Sequence, residues 1–598
     1  MIPRMCGIAG SFAYGSSAPE IGGMDLLRVR DAMAARGPDG EGLWISPDRR
    51  TGLAHRRLAI IDLSETGAQP MASDDGSLRI TFNGEIYNYR ELRADLEAKR
   101  HQFRSTSDTE VLLHLYREHG TEMVRLLRGM FAFAIWDERK QGLFLARDHF
   151  GIKPLYFADD GRTIWFASQV KALLKAPHVD TSRNAAGVVG FYLWGSVPEP
   201  HTLYRGILQM TAGTTLWIER GKPRVRVRYF SISSELAAAD APERISHEEM
   251  REQLRAALAD SVRHHLIADV PVGLFLSSGR DSATVAALAQ ELEARQISSL
   301  TLGFREYQGT GDDEVPLAAM VARHCGTAHQ THVISKADMD EELDHILAAM
   351  DQPSIDGVNT FFVSRAASFA GMKVALSGVG ADELFGGYAS FGGIPPLVSA
   401  ARPMNALPAV GRAFRLVTAP WLSRFTSPKY AGLLEYGGTY GGAYLLRRGL
   451  FMPWELPRFM DPDFVREGWQ DLRSIARLNY KTAKIGSPYA KVAAMELRMY
   501  MRNQLLRDAD WAGMAWSLEI RTPLVDRNLF RTVAPWMGLA NPPRKNDMAA
   551  APRTPLPKAI LERRKTGFSI PLPAWLDPPR RDRGLRGWAR ILVDSKVL

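Results

Sequence analysis

Downstream of His247 the chain alternates apolar, strand-length runs with amphipathic helical segments, and this rhythm limits the fold more than any other feature. Strand-like runs at 270–276, 298–304, 331–334 and 373–376 are separated by helix-period stretches at 281–294, 314–324 and 337–350. Strands joined by crossovers of that length pair in parallel, with helices covering both faces. A helix over 247–266 is expected to precede this sheet, and beyond Gly387 the pattern becomes mostly helical.

The first 215 residues obey a different rule. Short apolar runs at 53–63, 78–86, 130–136, 143–147 and 163–167 are punctuated by Asp-Gly and Asn-Gly turns, with helical patterns at 89–98 and 109–117. These predict an α+β arrangement of layered sheets and helices. Residues 216–245 are polar and turn-rich and read as a linker, dividing the chain into 6–215, 216–245 and 246–598. At 598 residues the chain is too long for one hydrophobic core.

The chain has two cysteines, Cys6 and Cys325, too few for a disulfide framework or a cysteine zinc cage. The 75 Lys and Arg residues against 66 Asp and Glu give a net charge of +9, mild for this length and suited to anionic metabolites. No dense basic run with interleaved aromatics is present, so nucleic acid is not expected as a partner. No signal-like apolar stretch and no run near the ~20 residues of a membrane span occurs. A soluble, cytoplasmic protein without a membrane partner is expected.

Two regions can carry chemistry. In the first half, Phe82-Asn83-Gly84-Glu85-Ile86-Tyr87-Asn88 places a side-chain amide beside a backbone N–H at a strand end, the content of an oxyanion hole, although an isolated Asn-Gly more often makes a hairpin turn. Cys6, so near the N-terminus, is either a small buried hydrophobe or a nucleophile with a terminal amine as its base. In the second half, Leu276-Ser277-Ser278-Gly279-Arg280-Asp281-Ser282 follows a strand and opens a helix, a turn that offers N–H groups and a helix N-terminus to an anion. It is not a Walker loop, since no Gly-Lys-Ser/Thr follows. A second acidic, glycine-rich turn occurs at Ser377-Gly378-Val379-Gly380-Ala381-Asp382-Glu383. A carboxylate beside a phosphate loop suggests magnesium.

Taken in order, Met5-Cys6-Gly7, Arg36-Gly37-Pro38-Asp39-Gly40, His55-Arg56-Arg57-Leu58-Ala59-Ile60, Asn83-Gly84-Glu85, Ser107-Asp108-Thr109-Glu110 and Arg147-Asp148-His149-Phe150-Gly151 resemble the class II glutamine amidotransferase domain of glutamine-hydrolysing asparagine synthetases. The two turns of the second half, with Thr301-Leu302-Gly303-Phe304, the segment 506–526 and Arg564-Lys565-Thr566-Gly567-Phe568, resemble the ATP-pyrophosphatase domain of the same family. The resemblance implies an N-terminal nucleophile (Ntn) glutaminase of layered sheets and helices, then an α/β ATP-pyrophosphatase domain with a parallel sheet and a helical C-terminal part.

It also implies roles. Cys6 would attack the glutamine amide, with Asn83 and Gly84 holding the oxyanion. Arg57, Leu58, Ile60, Glu85 and Asp108 would bind glutamine, Arg57 at its α-carboxylate and Asp108 at its α-ammonium. Leu276, Ser277, Ser278, Gly279, Asp281, Ser282, Leu302, Ser377 and Gly378 would bind ATP and pyrophosphate, Asp281 and Asp382 would hold Mg2+, and Lys565 would steady charge on the adenylate. The implied reaction is ATP-dependent amidation of aspartate to asparagine through β-aspartyl-AMP, with ammonia passed between the sites. The family also suggests a homodimer.

Two departures accompany the resemblance. The family's cysteine directly follows the initiator Met, so here translation from Met5 with Met5 removed, cleavage of a short leader, or an inactive glutaminase are the three readings, the first being favoured. Val379 stands where these synthetases usually carry Glu or Asp, and Ser278 and Arg280 replace a Gly and a hydrophobic residue of the loop. These changes motivate an alternative, amidation of a different carboxylate on a sugar or secondary metabolite.

Overall fold

The computed structural model describes residues 6–37, 39–563, 570–575 and 584–594. The first half is a four-layer stack. A six-stranded sheet runs in the order Ile207–Gln209, Tyr156–Asp159, Thr163–Ala167, Gly7–Ala13, Thr51–Arg57, Gly40–Ile45. A second six-stranded sheet runs Val225–Arg228, Thr214–Glu219, Gly142–Arg147, Gly129–Asp137, Leu78–Ile86, Met71–Ala72. Alternation along the strands decides what each face meets. Ile8, Phe12, Ala132, Ala134, Trp136, Leu143 and Leu145 fill the space between the sheets. Ala9, Ala13 and Trp165 turn the other way, onto Leu26 and Val29 of the helix Gly23–Asp31. Phe82, Phe133 and Phe144 pack beneath the helices Tyr89–Ala98 and Asp108–His119.

The same period turns Thr81 and Asn83 toward the first sheet, where Thr81 Oγ1 donates to the Ala54 carbonyl at 3.1 Å. Asn83 therefore reaches the inter-sheet space beside the first central strand.

The segment expected as a linker is only partly one. Thr214–Glu219 pairs with Gly142–Arg147, and Val225–Arg228 pairs with it in turn, so both extend the second sheet. Leu216 and Ile218 are buried between the sheets. Their alternation was hidden by the turn Glu219-Arg220-Gly221-Lys222 and by the charged, exposed edge strand. A helix at Ile232–Ala238 follows, and the connection shrinks to the residues before the helix His247–His265.

The second half contains the expected parallel sheet, in the order Ala328–Ile334, Ser298–Phe304, Val272–Phe275, Val374–Leu376, Glu519–Arg521, with every neighbouring pair parallel. The fifth strand, too short to show periodicity, was not legible in the sequence. Helices Arg280–Leu292, Val315–Cys325 and Lys336–Ala349 match the predicted positions closely.

Buried ion pairs join the halves. Arg36 is bidentate to Asp510 at 2.7 and 2.9 Å. Arg128 is bidentate to Asp526 at 2.8 and 3.0 Å, with both side chains buried. Removing one member strands a desolvated charge, which typically costs about 3–5 kcal/mol. Asp526→Ala is therefore expected to lower stability by about that amount in denaturant unfolding. The double variant Arg128→Met/Asp526→Leu should recover only part of the loss, because Asp526 also caps the helix Arg527–Val533 and Arg128 also pairs with Asp260 at 2.8 Å.

Candidate active sites

The first site forms where the strand Gly7–Ala13 begins. The Cys6 thiol donates to the Leu58 carbonyl at 3.5 Å, and the Leu58 N–H donates to Cys6 Sγ at 3.3 Å. Burial pushes the thiol up to about 12, only partly offset by that backbone contact. A thiol so poised stays protonated near neutral pH and needs a base in contact with it. Among the described residues no imidazole or carboxylate hydrogen-bonds the sulfur.

The Ser168 hydroxyl accepts from the Ile8 N–H at 3.0 Å and from Asn83 Nδ2 at 3.4 Å, tying the amide to the backbone two residues from Cys6. Asn83 Oδ1 is buried with no protein partner among the described residues, so the amide is only weakly engaged. Gly84 has φ +153°, and a Cβ there would sit 2.0 Å from the Met130 carbonyl oxygen. No side chain fits, which is why glycine follows Asn83.

The predicted glutamine-binding residues gather here with uneven availability. Asp108 accepts from the Ile86 N–H at 2.9 Å. Burial is the main cause that lifts its carboxyl to about 7. Glu85 is buried and held protonated more readily than an ordinary carboxyl by burial and by Glu519. Arg57 donates to the Ser64 carbonyl at 2.8 Å and also to the Asp62 carbonyl, so loop oxygens orient its guanidinium. Ile60 is buried, and its carbonyl accepts from the Asp269 N–H at 2.9 Å, a contact with the second half.

The second half also closes this site. Arg521 Nε donates to Glu519 Oε1 at 2.7 Å, and its Nη2 lies 3.5 Å from Glu85 Oε2. Lys153 Nζ stands 3.5 Å from Glu519 Oε2. Arg36 donates from Nε to the Cys6 carbonyl at 3.1 Å while gripping Asp510.

The second site is a cavity of about 890 Å³ at the C-terminal ends of the parallel strands. Leu276, Ser277, Ser278, Gly279, Asp281, Ser282, Leu302, Ser377, Gly378 and Asp382 all line it. Ser277 Oγ accepts from the Gly279 N–H at 3.1 Å and lies 2.9 Å from Ser282 Oγ, fixing the loop into the N-terminus of the helix Arg280–Leu292. Gly378 lets the second turn approach, since a Cβ there would lie 3.0 Å from Asp281 Cβ and from the Ser282 nitrogen. Arg280 is part of the cavity wall, donating to Asn546 Oδ1 at 3.0 Å and to the Arg563 carbonyl at 3.1 Å.

Lys545 sits between the two carboxylates expected for the metal, its Nζ 2.5 Å from Asp281 Oδ2 and 2.5 Å from Asp382 Oδ1. Two carboxylates close enough to share one ammonium, beside a phosphate loop, form a donor set that suits a hard divalent cation.

Comparison with known proteins matches the two halves of the chain in turn. Residues 5–230 match the Glutamine amidotransferase domain family, and residues 253–597 match the Asparagine synthase family. Asparagine synthetase [glutamine-hydrolyzing] 1 of Bacillus subtilis (strain 168) is 32% identical, over 99% of this chain and 90% of its own. A putative asparagine synthetase of Mycobacterium tuberculosis (strain ATCC 25618 / H37Rv) is 34% identical over 99% and 91%. Asparagine synthetase B of Escherichia coli (strain K12) is 33% identical over 65% of each chain. The chain belongs to the glutamine-hydrolysing asparagine synthetase family.

For this synthetase, the structure adds Lys545 and Arg448, which its sequence did not single out. Lys545 lies in Arg-Lys-Asn-Asp, a stretch without a recognisable pattern. Arg448 is stacked between the rings of Tyr388 and Tyr500, 4.1 Å from each, and paired at 2.9 Å with the fully buried Glu496. A π-helical stretch, Glu496–Leu505, carries Tyr500, Asn503 and Gln504 into the cavity wall, the kind of wide turn that recurs at functional sites. Asp508 lines the same cavity, accepts from Ser354 at 2.9 Å and from Trp511 at 2.8 Å, and is pushed up to about 8 by burial and by Asp356. Val379 is part of the wall as well. Lys565 and its motif lie outside the described residues.

Proposed function

We propose that this synthetase hydrolyses glutamine at the Cys6 site and uses the ammonia to convert aspartate to asparagine at the 890 Å³ cavity. A carboxylate has no leaving group that an amine can expel. ATP therefore activates the aspartate β-carboxylate as an acyl-AMP, releasing pyrophosphate, and ammonia displaces AMP. The observation that carries this reading is the convergence of both loops, Asp281, Asp382 and Lys545 on one cavity. Asp281 and Asp382 are the residues that would hold Mg2+, which when bound offsets phosphate charge. Lys565, the homodimer and a cytoplasmic setting belong to the same proposal.

Cys6 is the proposed nucleophile, Asn83 and Gly84 the oxyanion donors, and the α-amine of a processed Cys6 the base. The high thiol pKa and the lack, among the described residues, of a side-chain base at the sulfur support that assignment. Ammonia is largely protonated in bulk water, so a covered route favours transfer. The helix Leu506–Ala515 supports one, because its Asp508 borders the cavity and its Asp510 binds the arginine that holds the Cys6 carbonyl.

The test is pyrophosphate release with ATP, magnesium and a panel of carboxylic acids. Aspartate is expected to stimulate release, with asparagine as product. If aspartate does nothing and another carboxylic acid stimulates, the acceptor is reassigned, and Val379 in the cavity wall is the first residue to examine.

A pH experiment separates the two sites. Receiving an ammonium requires the carboxylate form of Asp108, whose carboxyl titrates at about 7. As pH falls through that value, the protonated fraction grows and glutamine binding weakens. KM for glutamine is expected to rise about tenfold from pH 8 to pH 6, one log unit per pH unit below the pKa. The ammonia-dependent reaction should lack this inflection, and Asp108→Asn should remove it.

A further inference from the structure

Outside the two phosphate loops, the wall of the second cavity carries charge of both signs around one side chain, Tyr500. The Tyr500 ring lies 4.1 Å from the Arg448 guanidinium, and its hydroxyl donates to Asp356 Oδ2 at 3.4 Å. Asp508 stands beside Asp356, packed on Gly357, where a Cβ would come 2.9 Å from Asp508 Cγ. A cationic station and an acidic station thus flank a single tyrosine, and all four side chains line the cavity.

Each station is incomplete. Glu496 takes the Nε and Nη2 edge of Arg448 at 3.0 and 2.9 Å, and the Tyr388 and Tyr500 rings hold the guanidinium from its faces. Among the described residues Nη1 has no hydrogen-bond or ion-pair partner, and 22% of the side chain stays exposed. The acidic station has no cation. Asp508, 2% exposed, accepts from Ser354 at 2.9 Å and from Trp511 at 2.8 Å, and Asp356 accepts from Tyr500 and from the Gly357 N–H. No Lys, Arg or His among the described residues hydrogen-bonds or ion-pairs with either carboxyl. Burial pushes both carboxyls up, and Asp356 adds to the effect on Asp508.

We propose that the two stations recognise the zwitterionic end of an α-amino acid acceptor. Its α-carboxylate binds Arg448 Nη1 and its α-ammonium binds at Asp356 and Asp508, leaving the side-chain carboxylate to meet ATP. The inference rests on the acyl-adenylate reading of this cavity and narrows it, since an acid on a sugar has no such end. An ammonium brings three donors and the positive charge that the two aspartates lack, and a carboxylate brings acceptors to a guanidinium already fixed in place. Val379 leaves its own place in the wall apolar, so the ammonium has to be met elsewhere. Buried polar groups left unpaired discriminate against ligands that cannot fill them.

Pyrophosphate release by the full-length enzyme with aspartate, succinate and β-alanine tests this. Succinate is aspartate without the ammonium, and β-alanine is aspartate without the α-carboxylate. With the parent enzyme, kcat/KM for each is expected to fall about 10²-fold below that for aspartate. Asp508→Asn should lower kcat/KM for aspartate about 10²-fold and leave succinate within about threefold, erasing that preference. Arg448→Met/Glu496→Gln removes both charges of the buried pair, so none is stranded. It should erase the preference for aspartate over β-alanine while keeping the preference over succinate. A uniform loss with all three acceptors in both variants would mark a purely structural role and overturn the proposal. So would a parent enzyme that uses succinate as well as aspartate, or unchanged kinetics with aspartate in both variants, an outcome that leaves asparagine synthesis itself intact. If aspartate is inactive but glutamate stimulates release and loses its preference over glutarate in Asp508→Asn, the proposal stands and aspartate is replaced as the acceptor.

Discussion

Cys6→Ala is expected to abolish glutamine-supported synthesis by at least about 10³-fold while leaving ammonia-supported synthesis within about twofold of the parent. The sulfur is the only atom that the reading asks to attack the glutamine amide. The second cavity, by contrast, is built without Cys6. Steady-state assays with glutamine and with ammonium chloride, on the same preparation, make the comparison. A companion measurement concerns the base. With the thiol held at about 12, the proposed mechanism requires an amine at Cys6 as its base. Intact mass of active protein should begin at Cys6, and a chain carrying Met-Ile-Pro-Arg-Met should hydrolyse no glutamine. Full glutaminase activity in that longer chain would refute the terminal-amine assignment.

Lys545→Ala is expected to lower acceptor-dependent pyrophosphate release by about 10²–10³-fold, the usual effect of deleting one positioned charge from a site where negative charge develops. Its ammonium holds Asp281 and Asp382 together, and those two carboxylates raise its proton affinity despite burial. Without it, two like charges face each other across the phosphate loop. The variant should therefore also require less magnesium for half-maximal activity, because no ammonium competes for the two carboxylates, whereas glutamine hydrolysis at the distant site should be unaffected. Lys545→Arg tests geometry rather than charge, because a planar fork cannot sit between two carboxylates as an ammonium does. Wild-type pyrophosphate release in Lys545→Ala would show that the lysine only fills the site before nucleotide arrives.

Legibility tracked the range of the interactions. The strands at Leu78–Ile86 and Ser298–Phe304 and the helix Arg280–Leu292 were readable because their signals are local: period-two or helical alternation bounded by turns. The edge strand Val225–Arg228 reads as linker because an exposed charged edge resembles a loop. Glu519–Arg521 was invisible because three residues carry no period. Among site residues, Cys6, Asn83, Asp281 and Asp382 stood in ordered motifs. Lys545 and Arg448 did not, since each acts through partners far away in sequence.

The sequence by itself determined that two chemistries share this chain: an amide-hydrolysing site at its start and a phosphate-binding site on a parallel sheet. Motifs persist in sequence when the chemistry needs neighbouring backbone and side-chain groups together, as in Asn83-Gly84 and Ser277–Ser282. Only the tertiary structure decided how the sites are joined. Arg36 links the Cys6 carbonyl to Asp510, Arg521 reaches from the edge of the parallel sheet to Glu85, and Lys545 closes the pair Asp281 and Asp382. The physical reason is that a buried charge is tolerated only beside its partner, and which partner comes within reach is set by packing, not by order along the chain.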